Sequence, residues 1–370
     1  MKHKKLLIII SAFILVILLA GCTGAGGGVN NWPGMTVNGD TAWLANGVAI
    51  YGVNLTNGTE SARLPQQTER GGGFLGALLP SGNNYGILFA PPAVTNDLLI
   101  IGNYTKELFA FNLANSTEAW RLEGVAKDRW IGGALVLDNL VYAPNADGNL
   151  YVLDMKGNLV RTVAVGAQGP LWSQPVVNGE TMYLSGMDHN LYAFDVNTMK
   201  LLWQTDLGGA LVPSPVLDAD GNLLVGNISG LLSKVNGKTG SILVQKTLSG
   251  GIWSKPLIHD GVVYIGAQSG DFYALDEKNF NQSWVINTSA SVIASPVLLP
   301  DGIVYVNEAG DVVGVDFDGN ENWRQKLTGQ LYSDPVVVNE NILVPVKGGD
   351  VLVQAIKTNG ALSWAFKPAK

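Results

Sequence analysis

The sequence predicts an all-β protein folded as an eight-bladed β-propeller of four-stranded antiparallel blades. Three observations carry that prediction. A unit of about 40 residues recurs along the chain, the period of a propeller blade. Each copy holds four short segments with the two-residue alternation of strands, separated by turn residues. A tryptophan closes five of the copies, at Trp120, Trp203, Trp284, Trp323 and Trp364.

The repeat is clearest in WSQPVVNGETMYLSGMDHNLYAFDVNTMKLLW (172–203) and WSKPLIHDGVVYIGAQSGDFYALDEKNFNQSW (253–284), which match almost position for position. The anchoring proline position is filled by Met35, Pro92, Ala134, Pro175, Pro215, Pro256, Pro296 and Pro335, with one step of 57 residues and the others of 39 to 42. Seven regular copies and one followed by an insertion make eight blades. Seven is the alternative, if the first copy does not form a full sheet.

Within a copy, "SQPVVN" is the first strand. Its proline cannot donate to a ladder, which places it at a strand start or a sheet edge. "TMYLSG" and "NLYAFD" are the second and third strands, and "KLLWQTDL" the fourth. Asn46-Gly47, Asp147-Gly148, Ser229-Gly230, Ser269-Gly270, Ala309-Gly310 and Gly348-Gly349 supply hairpin chemistry between the second and third. Copies one, three and five lack the closing tryptophan, with Ala62, Arg161 and Val244 near its place. The recurring tryptophan suits packing between neighbouring sheets, with its N–H finding one acceptor.

The chain opens MKHKK and continues in an apolar run from Leu6 to Ala20. Fifteen residues are short for a membrane span and fit a secretory leader. Leu19-Ala20-Gly21-Cys22 resembles the bacterial lipoprotein signal, in which the cysteine is lipidated and the peptide is cut before it. The expected organisation is a leader at 1–21, a flexible glycine-rich tether at 22–31 and one propeller domain at 32–370, with an insertion at 65–86. Cys22, the only cysteine of the 370 residues, is then an anchor point, and no internal disulfide can form.

Loss of the leader's three lysines leaves 20 basic against 30 acidic side chains, a net charge near −10. An acidic chain without a basic run argues against nucleic acid as a partner. Only His189 and His259 follow the leader, in different kinds of turn on opposite faces, which argues against a histidine metal centre or a Ser-His-Asp triad. "DADGN" at 218–222 lacks the Gly and Glu that a Ca²⁺ loop places at its sixth and twelfth positions. The recurring acid at Asp154, Asp195, Asp276 and Asp316 is replaced by Asn54, Asn112 and Asn236 in other copies, the pattern of a turn-capping oxygen. No metal site and no cofactor site are expected.

Strand parity sorts the loops. Blade-to-blade connections and the turns between second and third strands share one face. The insertion falls on that face and carries Phe74, Leu75, Leu78 and Leu79 among glycines; an exposed apolar loop is a docking site, and a buried one covers the channel mouth. Arg129 and Trp130 lie in another connection, and Arg and Trp are enriched among residues that dominate interfaces. Trp130 is in register with Trp172 and Trp253, which also gives it a structural reading. Asp188 and His189 open on the same face. These eight residues are the candidate partner-binding set.

The copies resemble the pyrroloquinoline-quinone-type propeller repeat, with its Ala-x-Asp-x-x-Thr-Gly-x-x-x-Trp signature. Ala193-Phe194-Asp195 leading to Trp203 is the best match, and Thr239-Gly240 also fits. With its eight copies and lipoprotein signal, the chain is similar to the BamB-like family of outer-membrane assembly lipoproteins. The resemblance implies a non-catalytic, lipid-anchored scaffold for envelope proteins, with the barrel assembly machinery as partner. It would sit on the periplasmic face of the outer membrane in a two-membrane cell, and on the cell surface otherwise. The alternatives are a surface ligand-binding propeller and a quinone-dependent dehydrogenase, which would use Ca²⁺, an Asp base and often a disulfide of adjacent cysteines. If Cys22 is the anchor, Cys22→Ser is expected to move the protein out of the acylated pool, checked by intact mass and metabolic labelling with a fatty acid.

Overall fold

The structure is a computed structural model that describes residues 33–65 and 85–369. The leader, the tether with Cys22, and Phe74, Leu75, Leu78 and Leu79 lie outside the described residues. Thirty-two strands form eight four-stranded antiparallel sheets. Blades 1 to 8 span residues 34–64, 93–122, 135–164, 176–206, 216–247, 257–287, 297–326 and 336–366. The expected eight-bladed propeller is therefore observed, and the first copy forms a full sheet.

Every blade is one uninterrupted stretch of chain with its strands in sequence order. First strands of neighbouring blades touch one another, so they stand innermost. The repeated prolines sit immediately before them, as at Pro175 before Val176–Asn178, where a missing N–H costs nothing. Second and third strands are buried along most of their length, as in Thr181–Ser185 and Asn190–Asp195. Fourth strands alternate between exposed and half-buried residues, as in Leu201–Asp206. Each bulges near its tryptophan position, in blade 4 between the partners of Ala193 and Phe194, a device that blunts an exposed edge.

The core lies between sheets. Tyr183, Leu191 and Ala193 of blade 4 pack on Leu223, Val225 and Val235 of blade 5. The ring closes the same way: Met35, Leu44 and Val53 of blade 1 pack on Leu343, Val353 and Phe366 of blade 8.

Each closing tryptophan crosses a blade boundary. Its Nε1–H donates to a backbone carbonyl in the next blade: Trp120 to Met155, Trp203 to Gly237, Trp284 to Phe317, Trp323 to Thr358, and Trp364 to Leu55, at 2.9–3.1 Å. Beneath each indole lies a glycine of that next blade. At Gly240, with φ of +73°, a Cβ would stand 2.7 Å from the Trp203 ring and its backbone would be strained. Gly157, Gly319, Gly360 and Gly58 repeat the arrangement under Trp120, Trp284, Trp323 and Trp364.

The three copies without tryptophan invert this pairing. Opposite Ala62, Arg161 and Val244 the glycine position holds Ser116, Met199 and Phe280, each still at φ of 56–58°. Met199 and Phe280 are buried and fill the volume an indole would take. Two of these seams restore the hydrogen bond by other means. Arg161 donates from Nη1 to the Thr198 carbonyl at 2.8 Å. At the blade 5–6 seam, Lys234 Nζ lies 2.9 Å from Glu277 and 2.8 Å from Asp218. Burial works to raise the Asp218 carboxyl, but hydrogen bonds from Lys234 and Asn222 outweigh it and hold it below the ordinary range. Burial likewise works to lower Lys234, and its two carboxylate partners hold it above its ordinary value.

The sequence reading of "DADGN" and of the recurring acids holds in the structure. Asp218 accepts from the amides of Asp220 and Asn222. Asp154, Asp195, Asp276 and Asp316 accept turn amides from residues two to four further on, and Asn54, Asn112 and Asn236 do the same.

Phe280→Gly is expected to cost about 3–5 kcal/mol and Val244→Trp about 1–3 kcal/mol, while the double variant costs less than their sum; urea unfolding of the three variants checks the coupling, and strict additivity would refute the exchange of volumes. Lys234→Met strands a buried carboxylate and is expected to cost about 3–5 kcal/mol. The depressed Asp218 stabilises the fold above its unfolded value and loses that contribution as pH falls through its folded one. The advantage over Asp218→Asn should therefore hold near neutrality and shrink below about pH 4, read by thermal melts across pH.

Candidate functional site

The structure bears out the division into two faces. In the connection from blade 2 to blade 3, the Trp130 amide donates to the Asn103 carbonyl, and the Arg129 carbonyl accepts from Ala146. Asn103 and Ala146 belong to the turns between second and third strands of blades 2 and 3. His259 sits on the other face, stacked at 4.9 Å on Phe317.

Trp130 corrects the sequence alignment. Its backbone bond to the preceding turn is repeated by Leu171, Leu211, Ile252 and Val292, not by Trp172 or Trp253. It is 1% exposed, and a Cβ on Gly102 would collide with it, as one on Gly226 would with Ile252. Trp130 is a plug between sheets, packed edge-on against Tyr151 at 5.2 Å, and offers no surface to a partner.

Its neighbour Arg129 is different. The Arg129 side chain is 42% exposed, with its guanidinium 4.8 Å above the Tyr104 ring and Nε 3.6 Å from Asp128. Tyr104 in turn packs on Phe89 at 5.0 Å. Three segments thus converge: the start of blade 2, the turn at Tyr104, and the connection carrying Arg129. Such a stack holds the cation in place by ring attraction while leaving its outer edge for a ligand. A shallow cleft of about 440 Å³ adjoins it, lined by Thr105, Lys106, Glu107, Glu123, Gly124 and Ala126. Tyr104 and Phe89 were missed in the sequence. Phe89 stands three residues before Pro92, the anchor's aromatic position, and that is the signal that could have found it.

Asp188 and His189 form the corresponding turn of blade 4. Asp188 accepts from the Gln168 amide at 3.0 Å and from the Tyr192 hydroxyl. Asp147 does the same for Lys127 and Tyr151 in blade 3. This carboxylate latches the incoming connection onto its blade. Burial pushes the Tyr192 hydroxyl up, and Asp188 adds to the effect. His189 is exposed at φ of +77°, where blade 2 has Lys106 at +73° and blades 3 and 5 place Gly148 and Gly230.

The channel-lining strands carry one more charged feature. At the position before the anchor, Lys255 of blade 6 reaches past blade 7 to Asp334 of blade 8 at 3.1 Å. The Ser295 amide of blade 7 donates to the same carboxylate. Burial works to raise Asp334, and Lys255 outweighs it and holds it low; the Asp334 charge in turn raises Lys255. A cation held by Asp334 would have to displace Lys255 from its carboxylate.

The sequence profile of the family described as outer membrane protein assembly factor BamB matches residues 86–218, 187–317 and 288–369. The BamB protein of Moranella endobia is 26% identical over 306 residues, 75% of each chain. That of Escherichia coli is 31% identical over 144 residues, 38% of this chain and 36% of that protein. The match thus spans little more than a third of the Escherichia coli protein. Among solved structures, BamB from Moraxella catarrhalis superposes with a TM-score of 0.69 at 16% identity, covering 89% of this chain and 94% of that one. A europium-containing methanol dehydrogenase reaches 0.68 at 14% identity over 85% and 81%. Likeness at these identities is a likeness of fold.

Proposed function

The chain belongs to the family of outer membrane protein assembly factor BamB, and from that premise we propose that it is a non-catalytic scaffold, lipid-anchored through Cys22, that holds partner proteins during the assembly of β-barrels into an outer membrane. Its place is then the periplasmic face of that membrane. The names of the Moranella endobia and Escherichia coli relatives support the assembly reading. The observation that carries the docking face is the half-exposed Arg129 stacked on Tyr104 and Phe89. Arginine and tyrosine are the side chains most often found to dominate protein interfaces, and this pair is pre-ordered, so little freedom is lost on docking.

Phe74, Leu75, Leu78 and Leu79 belong to the connection between blades 1 and 2, one seam away in the chain from Arg129. In this reading they are further contacts of the partner. Exposed His189, two blades along, marks the far side of the docking face. Asp188 contributes by fixing the turn, and Trp130 by supporting Arg129 from below.

Cross-linking of the anchored protein in native membranes tests the reading. Capture of a barrel assembly component is expected, reduced at least about tenfold by Arg129→Glu with an unchanged melting temperature. A folded, abundant bait that captures no such component would overturn it.

A further inference from the structure

The rim of the disc is not uniform. Two positions open every fourth strand, one paired to the third strand and the next in the bulge. In blades 3, 4 and 5 they hold Leu159–Val160, Leu201–Leu202 and Ile242–Leu243, all 41–56% exposed. These are six of the twelve large apolar side chains exposed among the described residues. In blades 1, 2 and 7 the paired position holds Glu60, Glu118 and Glu321, each bridged to an arginine three residues on, at 2.6–2.8 Å. Blade 6 has Gln282–Ser283, and blade 8 Leu362–Ser363. Three adjacent blades are therefore aliphatic at both positions, whereas blades 7, 1 and 2 are ion-paired and blade 8, between 7 and 1, exposes Leu362 alone.

Charge separates these blades from 7, 1 and 2, whose corresponding turns carry no lysine, while Lys278 and Lys357 occupy those of blades 6 and 8. The turn before each aliphatic pair carries an exposed lysine: Lys156, Lys200 and Lys238. Arg161 lies beside the first pair. Asp154 and Asp195 share these turns with their carboxylates occupied by turn amides. Asp138, Glu180 and Asp220 sit in turns joined to the first strands, nearer the axis. Beside the aliphatic pairs themselves, the three lysines and Arg161 outnumber Asp154 and Asp195, in a chain of net charge −7.

We propose that this arc rests edge-on against an anionic lipid surface. The composition favours lipid over protein. Protein interfaces are enriched in aromatic residues, Met and Arg and depleted in Lys. Flexible lysines whose stems run along exposed aliphatic side chains are the chemistry of a headgroup boundary, where the alkyl parts enter and the ammonium groups stay with the phosphates. The arc lies on the rim and away from Arg129, so it leaves the connection face free for a partner.

Residues 22–370 carrying Cys22→Ser suffice for the test, since all eight blades and the closing seam lie within them and no acyl chain contributes. Co-sedimentation with phosphatidylethanolamine–phosphatidylglycerol vesicles is expected, weakened by salt and absent with phosphatidylcholine. Each lysine near an anionic surface contributes about fivefold, so K156Q/K200Q/K238Q should lose about a hundredfold. V160S/L202S/L243S should also lose binding. With Cys22 replaced, a solvatochromic dye on Leu202→Cys should shift to the blue on vesicles, and one on Asn322→Cys should not. Arg129→Glu should bind vesicles normally, which separates this inference from the scaffold reading. Failure to sediment, equal binding to phosphatidylcholine, or indifference to both rim variants would overturn it. So would loss of a cross-linked envelope protein in the rim variants without any lipid binding.

Discussion

The molecule depends on one contact repeated around its axis: an indole that lies over a backbone without a side chain and donates its N–H to the carbonyl beside it. A single blade has two apolar faces and no means of covering either. Burial against its neighbours supplies most of the stabilisation, but burial alone does not fix how far one sheet slides past the next. The indole hydrogen bond does, because it ties the outer strand of one blade to one particular turn of the following blade. Two of the three seams that lack the indole keep the tie through Arg161 or Lys234 and refill the volume with Met199 or Phe280.

Much of this was legible in the sequence. The 40-residue period, the four strands of a copy and the capping acids each follow from local chemistry that recurs in every copy. The exchange across seams was not. Its two halves lie in different copies, as Val244 and Phe280 do, so aligning the copies puts them in separate columns where each reads only as a missing residue. The misplacement of Trp130 has a simpler cause. Two kinds of position, the seam plug and the residue after it, both accept large apolar side chains, and a tryptophan at one reads like a tryptophan at the other, although Trp130 stands four residues before its anchor and Trp172 and Trp253 three. The backbone bond to Asn103 decides between them.

The docking stack shows the same limit. Arg129 stands out in the sequence as a charge beside a tryptophan, but its meaning comes from Tyr104 and Phe89, which arrive from two other segments. Folding turns an unremarkable turn tyrosine into the platform that orders a cation at the surface. The carboxylates nearby do the opposite. Asp147 and Asp188 are spent on backbone amides and tyrosine hydroxyls, so the face owes rigidity to them.

Closure by packing has a consequence for the chain as a string. Because blade 8 meets blade 1 through the same indole tie as four other pairs, with Trp364 on Leu55 and no strand exchanged, nothing in the ring marks a first blade. The order of the copies is a numbering imposed by where the polypeptide happens to be cut. A circularly permuted gene, opened at any connection and rejoined across the old gap, encodes the same disc. Copies could then be gained, lost or rotated past one another during descent, provided each donor side chain travelled with a neighbour shaped to receive it.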